Sequence, residues 1–290
     1  MYNQIASNKR RTLLLMLSFV VLLWGLAYLI SQATGQRGLL YIIGLFSLSY
    51  AIFSYFAGSR MALAINGAKQ ITKKDEPRLW RTIENLAITE GMPMPKVYIM
   101  DDPAPNAFAT GRNHKKSAVC ATTGLLKIMD DSELEGVMAH ELAHVKNYDI
   151  RVNTIAFALI GIISMIADFF WHFSIFGSND RREGNQLVYA LTIAAVILAP
   201  LVATLIQLAI SRRREFLADA SGALTTRYPE GLASALQKIA KYGGTLKKHQ
   251  NTSTAHMFFA NPLTKGSIAS LFSTHPPVEQ RIKNLHEMSL

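Results

Sequence analysis

A single cysteine, Cys120, occurs among the 290 residues, so no disulfide framework can be built. A lone thiol fits a reducing compartment. Charge is also scarce. Only 17% of the residues are Asp, Glu, Lys or Arg, against about 25% in an average soluble chain. With 50% hydrophobic residues, this shortage excludes intrinsic disorder and argues against a wholly soluble globule. Internal repeats are absent, and so is any interleaving of basic and aromatic residues that would suggest nucleic-acid recognition. The length allows one large domain or two modest ones.

What the chain has in quantity is long apolar sequence. Four runs stand out: Leu13 to Ile30, Leu39 to Ala57, Ile155 to Phe176 and Leu187 to Ile210. Each approaches the roughly 20 residues that a helix needs to cross a bilayer core. The first two carry no charge. The first exceeds the roughly 7–15 residues of a signal-peptide core, and a second run follows at once, so it reads as a retained span. The third holds Asp168 and His172, which fit a position near the far membrane surface or inside a helical hairpin. The fourth holds Pro200 and Gln207, which packed neighbouring helices tolerate.

The net charge of +10 follows the same plan. Lys9, Arg10 and Arg11 precede the first run, and Arg60, Lys69, Lys73 and Lys74 follow the second. Lys146 and Arg151 precede the third, and Arg212, Arg213 and Arg214 follow the fourth. The excess of positive loops predicts that both termini and both polar segments face the cytoplasm. The expected protein is mainly helical α+β and polytopic, with about four transmembrane helices. Its parts are a hairpin over 1–57, a cytoplasmic segment over 58–153, a second hairpin over 154–210 and a cytoplasmic segment over 211–290. The basic excess needs a lipid bilayer as partner, and no nucleic acid.

In the first polar segment, Glu76 to Glu90 has helical periodicity, ended by Gly91 and Pro93. Lys96 to Met100, Asn106 to Thr110 and Ser117 to Thr122 read as strands. A helix opens near Asp131 and Ser132, where Ser132 and Glu135 have the spacing of a capping box. It contains His140-Glu141-Leu142-Ala143-His144. Residues i and i+4 share a helix face, so both imidazoles can aim at one ion while Glu141 stands beside them to take a proton from water held there. This is a zinc-hydrolase pattern, and zinc suits two imidazoles, one carboxylate and an open position. No third histidine follows at the expected spacing. Glu215 and Asp219, also i and i+4, are the candidates on a second helix: Glu215 as ligand, Asp219 as hydrogen-bond partner of a ligand histidine. An antiparallel membrane pair between the two half-sites returns the chain to its starting side, which would hold zinc close to the bilayer surface.

The order of these features resembles the HtpX family of bacterial membrane zinc endopeptidases, relatives of the CAAX prenyl endopeptidases. His140-Glu141-x-x-His144, two membrane segments, then Glu215-x-x-Ala218-Asp219 carry the likeness. Asn106-Ala107-Phe108-Ala109 is similar to the family's substrate-aligning edge strand. His275-Pro276 followed by Arg281 is similar to its C-terminal motif, and Gln4 to Lys9 matches as well. The resemblance implies a zincin-like (gluzincin) catalytic domain with one Zn2+ per subunit, ligated by His140, His144 and Glu215. It implies Glu141 as general base and places His275 and Arg281 near the developing oxyanion, although Arg281 could instead pair with an acid such as Asp219. Expected substrates are misfolded or damaged membrane proteins, met under stress at the bacterial cytoplasmic membrane.

Three other readings compete. An intramembrane protease would bury Asp130, Asp131, Glu133, Glu135, Lys146, Asp149 and Arg151, at roughly 2.5–3.5 kcal/mol each. A transporter using Asp168 and His172 leaves the zinc constellation unexplained. A catalytically inactive scaffold leaves Glu141 without a purpose.

Overall fold

The structure is a computed structural model that describes residues 2–176, 212–242, 257–259 and 276–288. The fourth apolar run and His275 lie outside these residues. Two long helices open the chain: α1 (Tyr2–Thr34) and α2 (Gly38–Ile65). At 1.5 Å per residue, each exceeds the thickness of a bilayer core. Their segments Ile5–Leu29 and Leu40–Ile65 are the described helices long and apolar enough to cross a membrane. Leu13, Leu17, Val21, Ile42, Leu45 and Phe53 stay exposed, which a core helix of a soluble protein would avoid. The inner faces pack with α6 (Asp149–Phe176) through Leu15, Phe19, Leu23, Ala51, Val152, Ile155 and Leu159.

The boundaries expected at 57/58 and 153/154 both fall inside continuous helices. α2 runs through Gly58 to Ile65, and α6 begins at Asp149. A Cβ on Gly58 would lie 3.1 Å from Thr154 Cγ2, so this glycine serves a helix crossing and ends nothing. The polar segment therefore grows directly out of membrane-length helices.

Between α2 and α6 lies a four-stranded sheet with its helices. The strands are β1 (Lys69–Gln70), β2 (Lys96–Met100), β3 (Ala107–Asn113) and β4 (Lys116–Thr122), in the order β1-β2-β4-β3. β2 and β4 are parallel, with Lys96 opposite Ala118. β3 and β4 form an antiparallel hairpin with Ala107 opposite Ala121. β3 is thus an edge strand. The hairpin turn is tighter than the expected break at 111–116, because both strands run on to Asn113 and Lys116. Gly111 makes this possible. It sits at φ 141° in a register shift, and a Cβ there would come within 2.4 Å of the Lys116 carbonyl oxygen.

The helix α3 (Pro77–Thr89) starts with Pro at its first position and buries Leu79, Ile83, Leu86 and Ala87. After the short α4 (Thr123–Ile128) comes α5 (Asp131–Lys146). Its capping box is Asp130 with Glu133, two residues earlier than the Ser132–Glu135 pair the sequence suggests. Asp130 has extended backbone and accepts the Glu133 N–H, whereas Ser132 already lies within the helix and donates its hydroxyl to Asp130. The C-terminal segment adds α7 (Arg212–Thr226), α8 (Pro229–Tyr242) and α9 (Val278–Glu287). These wrap α5, which becomes the core of the polar part: Leu134, Val137, Met138 and Leu142 pack with Leu79, Ile83, Val119 and Leu236.

Candidate metal centre

α5 carries His140 and His144 one turn apart, both buried. α7 crosses beside them. A Cβ on Gly222 would meet the His140 backbone nitrogen at 3.0 Å, so this close approach depends on the glycine. The closeness lets Glu215, one helix away, reach the histidines. Glu215 Oε2 lies 3.7 Å from His140 Nε2, and Oε1 lies 3.6 Å from His144 Nε2. The two Nε2 atoms are 3.1 Å apart. Ligand atoms of His140, His144 and Glu215 all lie within 4.8 Å of one another.

The outer sides of both imidazoles decide what the inner sides can do. His140 Nδ1 is 2.9 Å from Asp219 Oδ1. His144 Nδ1 is 3.1 Å from Asp149 Oδ2. A carboxylate accepts only, so each Nδ1 is the protonated nitrogen and each Nε2 turns a lone pair inward. Both Nε2 atoms and a carboxylate then converge on one point. That arrangement is repulsive unless a cation sits among them. Tetrahedral zinc, with Zn–N bonds near 2.0–2.1 Å, spaces its ligand atoms about 3.3 Å apart. The donor set and its spacing fit.

Electrostatics point the same way. Burial pushes His140 down to about 4, against the pull of Asp219, which keeps the imidazole neutral. Burial would also lower His144, but Glu215, Asp149 and Glu141 outweigh it and hold it up near 9, so its Nε2 lone pair is one that takes either a proton or a metal ion, and a metal would displace the proton. The pocket therefore attracts positive charge.

Each carboxylate has its own anchor. Arg281, 1% exposed, grips Asp219 with two bonds, Nε to Oδ2 at 2.8 Å and Nη2 to Oδ1 at 2.6 Å. Burial works to raise Asp219, yet Arg281 and His140 hold it down near 2. Of the two places open to Arg281, the geometry is that of the ion pair behind His140. Asp149 is held differently. Asn8, on α1, donates from Nδ2 to Asp149 Oδ1 at 2.7 Å and to the Asn147 carbonyl at 2.8 Å. Arg214 Nη1 stands 3.5 Å from the same Oδ1.

Asp149 and Arg214 were not identified from sequence as parts of the site. The reason for Asp149 is local. It lies five residues after His144, off that helix face. Tyr148 adopts φ 62° and turns the chain back, so Asp149 returns to the ring. Left-handed caps are usually glycine, so a tyrosine gives no signal.

Glu141, 3% exposed, lines the cleft with His140, His144 and Glu215. Ala109, Asn153 and the stretch Met257–Phe259 complete it. Ala107, Phe108 and Ala109 lie on β3, and Asn106 just precedes it, its carbonyl accepting from Thr122 N–H. The Phe259 N–H donates to the Ala107 carbonyl at 2.8 Å. The Phe259 ring meets His140 edge-on at 5.0 Å, and Phe258 meets Phe108 at 5.1 Å. Asp168 and His172 belong to the later turns of α6, well beyond Asp149 in the chain. Cys120 is buried in β4, and burial together with the Glu141 charge raises its thiol, which keeps it inert.

Residues 73–289 match peptidase family M48. The "Protease HtpX homolog" of Tropheryma whipplei (strain TW08/27) is 52% identical over 289 residues, covering 99% of this chain and 98% of that protein. The "Protease HtpX homolog" of Dictyoglomus turgidum is 42% identical over 291 residues, covering 99% and 94%. Among solved structures, that of S. mikatae Ste24p aligns with a TM-score of 0.53 at 18% identity, over 98% of this chain and 67% of that one, a likeness of fold. The converging ligand set on α5 and α7, the apolar helices beside it and these full-length likenesses agree: the chain belongs to peptidase family M48, among the HtpX membrane metalloproteases.

Proposed function

We propose that the protein is a zinc-dependent endopeptidase of the bacterial cytoplasmic membrane. In this reading it has about four spans, with both termini and the metal centre on the cytoplasmic side. The observation that carries it is the convergence of His140 Nε2, His144 Nε2 and Glu215 beside Glu141 in one cleft. Zinc bound there would supply Lewis acidity, polarising a peptide carbonyl and making water acidic near neutral pH.

The rest is work for the chain's own groups. Asp219 and Asp149 keep each Nδ1 protonated and each Nε2 available. Glu141 accepts a proton from the attacking water and returns it to the leaving amine. Arg281 acts through Asp219 on His140. His275 would add a hydrogen-bond donor near the oxyanion. A substrate segment pairs with Asn106–Ala109 as an added strand, a mode that reads backbone and tolerates many sequences. Because Phe259 already donates to Ala107, that segment must displace Met257–Phe259 or pair beyond it. Broad recognition beside a membrane suits quality control of misfolded or damaged membrane proteins under stress.

The test compares wild type with Glu141→Gln, purified metal-free in detergent, given zinc and an unfolded model protein. Cleavage by wild type alone, with zinc bound by both, is the expected result. Cleavage by both would remove Glu141 as the base. A wild type that binds no zinc would overturn the metal assignment and return the scaffold and transporter readings.

A further inference from the structure

A second cavity, of about 370 Å3, lies between α2, the β3–β4 hairpin and the start of α6. Its walls carry Arg60, Lys96, Arg112, Lys115, Lys116 and Arg151, and no acidic residue. Some basic side chains of the polar part find carboxylates, as Lys73 does with Glu84 and Arg78 with Asp131. Among the described residues, none of these six makes an ion pair. Six uncompensated cations around one cavity repel one another, and an anion relieves that repulsion.

The two central arginines are already placed. Arg112 lies over the Phe56 ring at 4.7 Å, and Arg151 over Tyr148 at 4.9 Å. Arg151 Nε also donates to the Arg112 carbonyl at 2.7 Å. Each guanidinium is a planar set of donors of the kind that matches phosphate. The wall also carries the hydroxyls of Ser59 and Ser117.

The position of the cavity selects the source of the phosphate. One wall is α2 at Tyr55, Phe56 and Ser59, within the segment long and apolar enough to cross a membrane. Ile52 and Phe53, just before it, and Phe56 itself are exposed on the same helix. Acyl chains could lie along these side chains while a headgroup enters the cavity. Basic pockets beside membrane helices bind anionic headgroups in this way.

We propose that this cavity binds the anionic headgroup of a membrane phospholipid. The proposal rests on the reading that α2 crosses the bilayer. It is independent of proteolysis. A soluble phosphate shares the chemistry, and an acidic peptide is the competing class, because β3 lines the metal cleft at Ala109 and this cavity at Gly111.

The experiment uses the full chain carrying Glu141→Gln, purified in neutral detergent, and counts lipids retained in native mass spectrometry. The probes are phosphatidylglycerol and phosphatidylcholine. Phosphatidylglycerol should be retained about tenfold more strongly, and Arg112→Gln with Lys116→Gln should erase that preference. Lys115→Gln with Lys116→Gln, on the exposed turn, provides a second pair that does not disturb Arg112 packing. Lys116→Arg should keep the preference. Removing two charges at Arg81 and Lys127, outside the cavity, should change nothing. Equal retention of both lipids, or equal loss in the distant pair, overturns the proposal. Displacement by an equal concentration of inorganic phosphate overturns the lipid source. So does a raised KM for an acidic peptide, measured with Glu141 restored, when lipid retention is unchanged. A protein that alkali washes out of membranes defeats the membrane reading itself, and with it this one.

Discussion

The two histidines of the metal centre are supported in different ways. Behind His140, Asp219 is gripped bidentately by Arg281, and every member comes from the polar part of the chain: α5, α7 and α9. Behind His144, Asp149 takes one hydrogen bond from Asn8 on the membrane-length helix α1, with Arg214 alongside at 3.5 Å. Arg214 Nε and Nη1, and Asn8 Oδ1, find no hydrogen-bond partner among the described residues. One arm is saturated and internal, and the other is looser and reaches into the membrane hairpin. The hairpin is therefore more than an anchor, because its first helix completes the surroundings of a ligand.

The largest effect should come from breaking the saturated arm. Arg281→Ala leaves the Asp219 carboxylate buried without its partner, and such losses run to about 3–5 kcal/mol. Thermal unfolding in detergent should show a large drop in midpoint, and a drop no greater than that of a surface substitution would mean that the ion pair is dispensable. Asp149→Ala comes next. Loss of the His144 partner should weaken zinc binding roughly 10–100-fold, read by competition with a chelator. Equal zinc affinity in this variant and wild type would show that His144 needs no orienting carboxylate.

Asn8→Ala probes the reach of α1. A hydrogen bond to a charged group is worth about 1.5–3 kcal/mol. Zinc affinity should fall by less than in Asp149→Ala, and the cobalt-substituted protein should show an altered spectrum. Asn8→Asp places a negative charge beside Asp149 and should be worse than Asn8→Ala. If affinity and spectrum both stay fixed, α1 contributes packing alone.

The smallest effect is expected at the far end of α5. Asp130→Ala removes the N-cap, at about 1 kcal/mol, and should leave zinc affinity untouched. The hydrogen bond from the Glu133 N–H holds Asp130 below its ordinary value. The cap therefore stabilises fully above the ordinary carboxylate range and is lost as the pH falls through the lowered one. Acid titration of stability should show a slightly gentler loss in Asp130→Ala than in wild type.

Legibility in the sequence follows how local each signal is. The first two apolar runs needed only composition, since a lipid-facing helix is apolar on most of its surface. The His140-Glu141-x-x-His144 motif needed only helical spacing. The capping box lies two residues before the expected pair because Asp130 and Ser132 are both good caps, and backbone geometry chose between them. The boundary expected at 57/58 follows the end of the apolar run, whereas α2 continues to Ile65, because a helix does not stop where its hydrophobicity does. Arg281 was left between two places, and only the position of α9 against α7 settled its contact with Asp219.

By itself, the sequence determined a membrane-bound chain with a metal-ligating helix and a second helix able to add a carboxylate, because periodicity and residue chemistry are written locally. Asp219 as partner of a ligand histidine was legible in its spacing too; tertiary structure alone decided that Asp149 stands behind His144 and that six cations gather around one cavity. Asn8 and Asp149 are 141 positions apart, and their meeting depends on how α1 lies against the turn at Tyr148. Contacts of that separation come from packing, where burial and hydrogen bonding act across the fold, and no spacing rule along the chain encodes them.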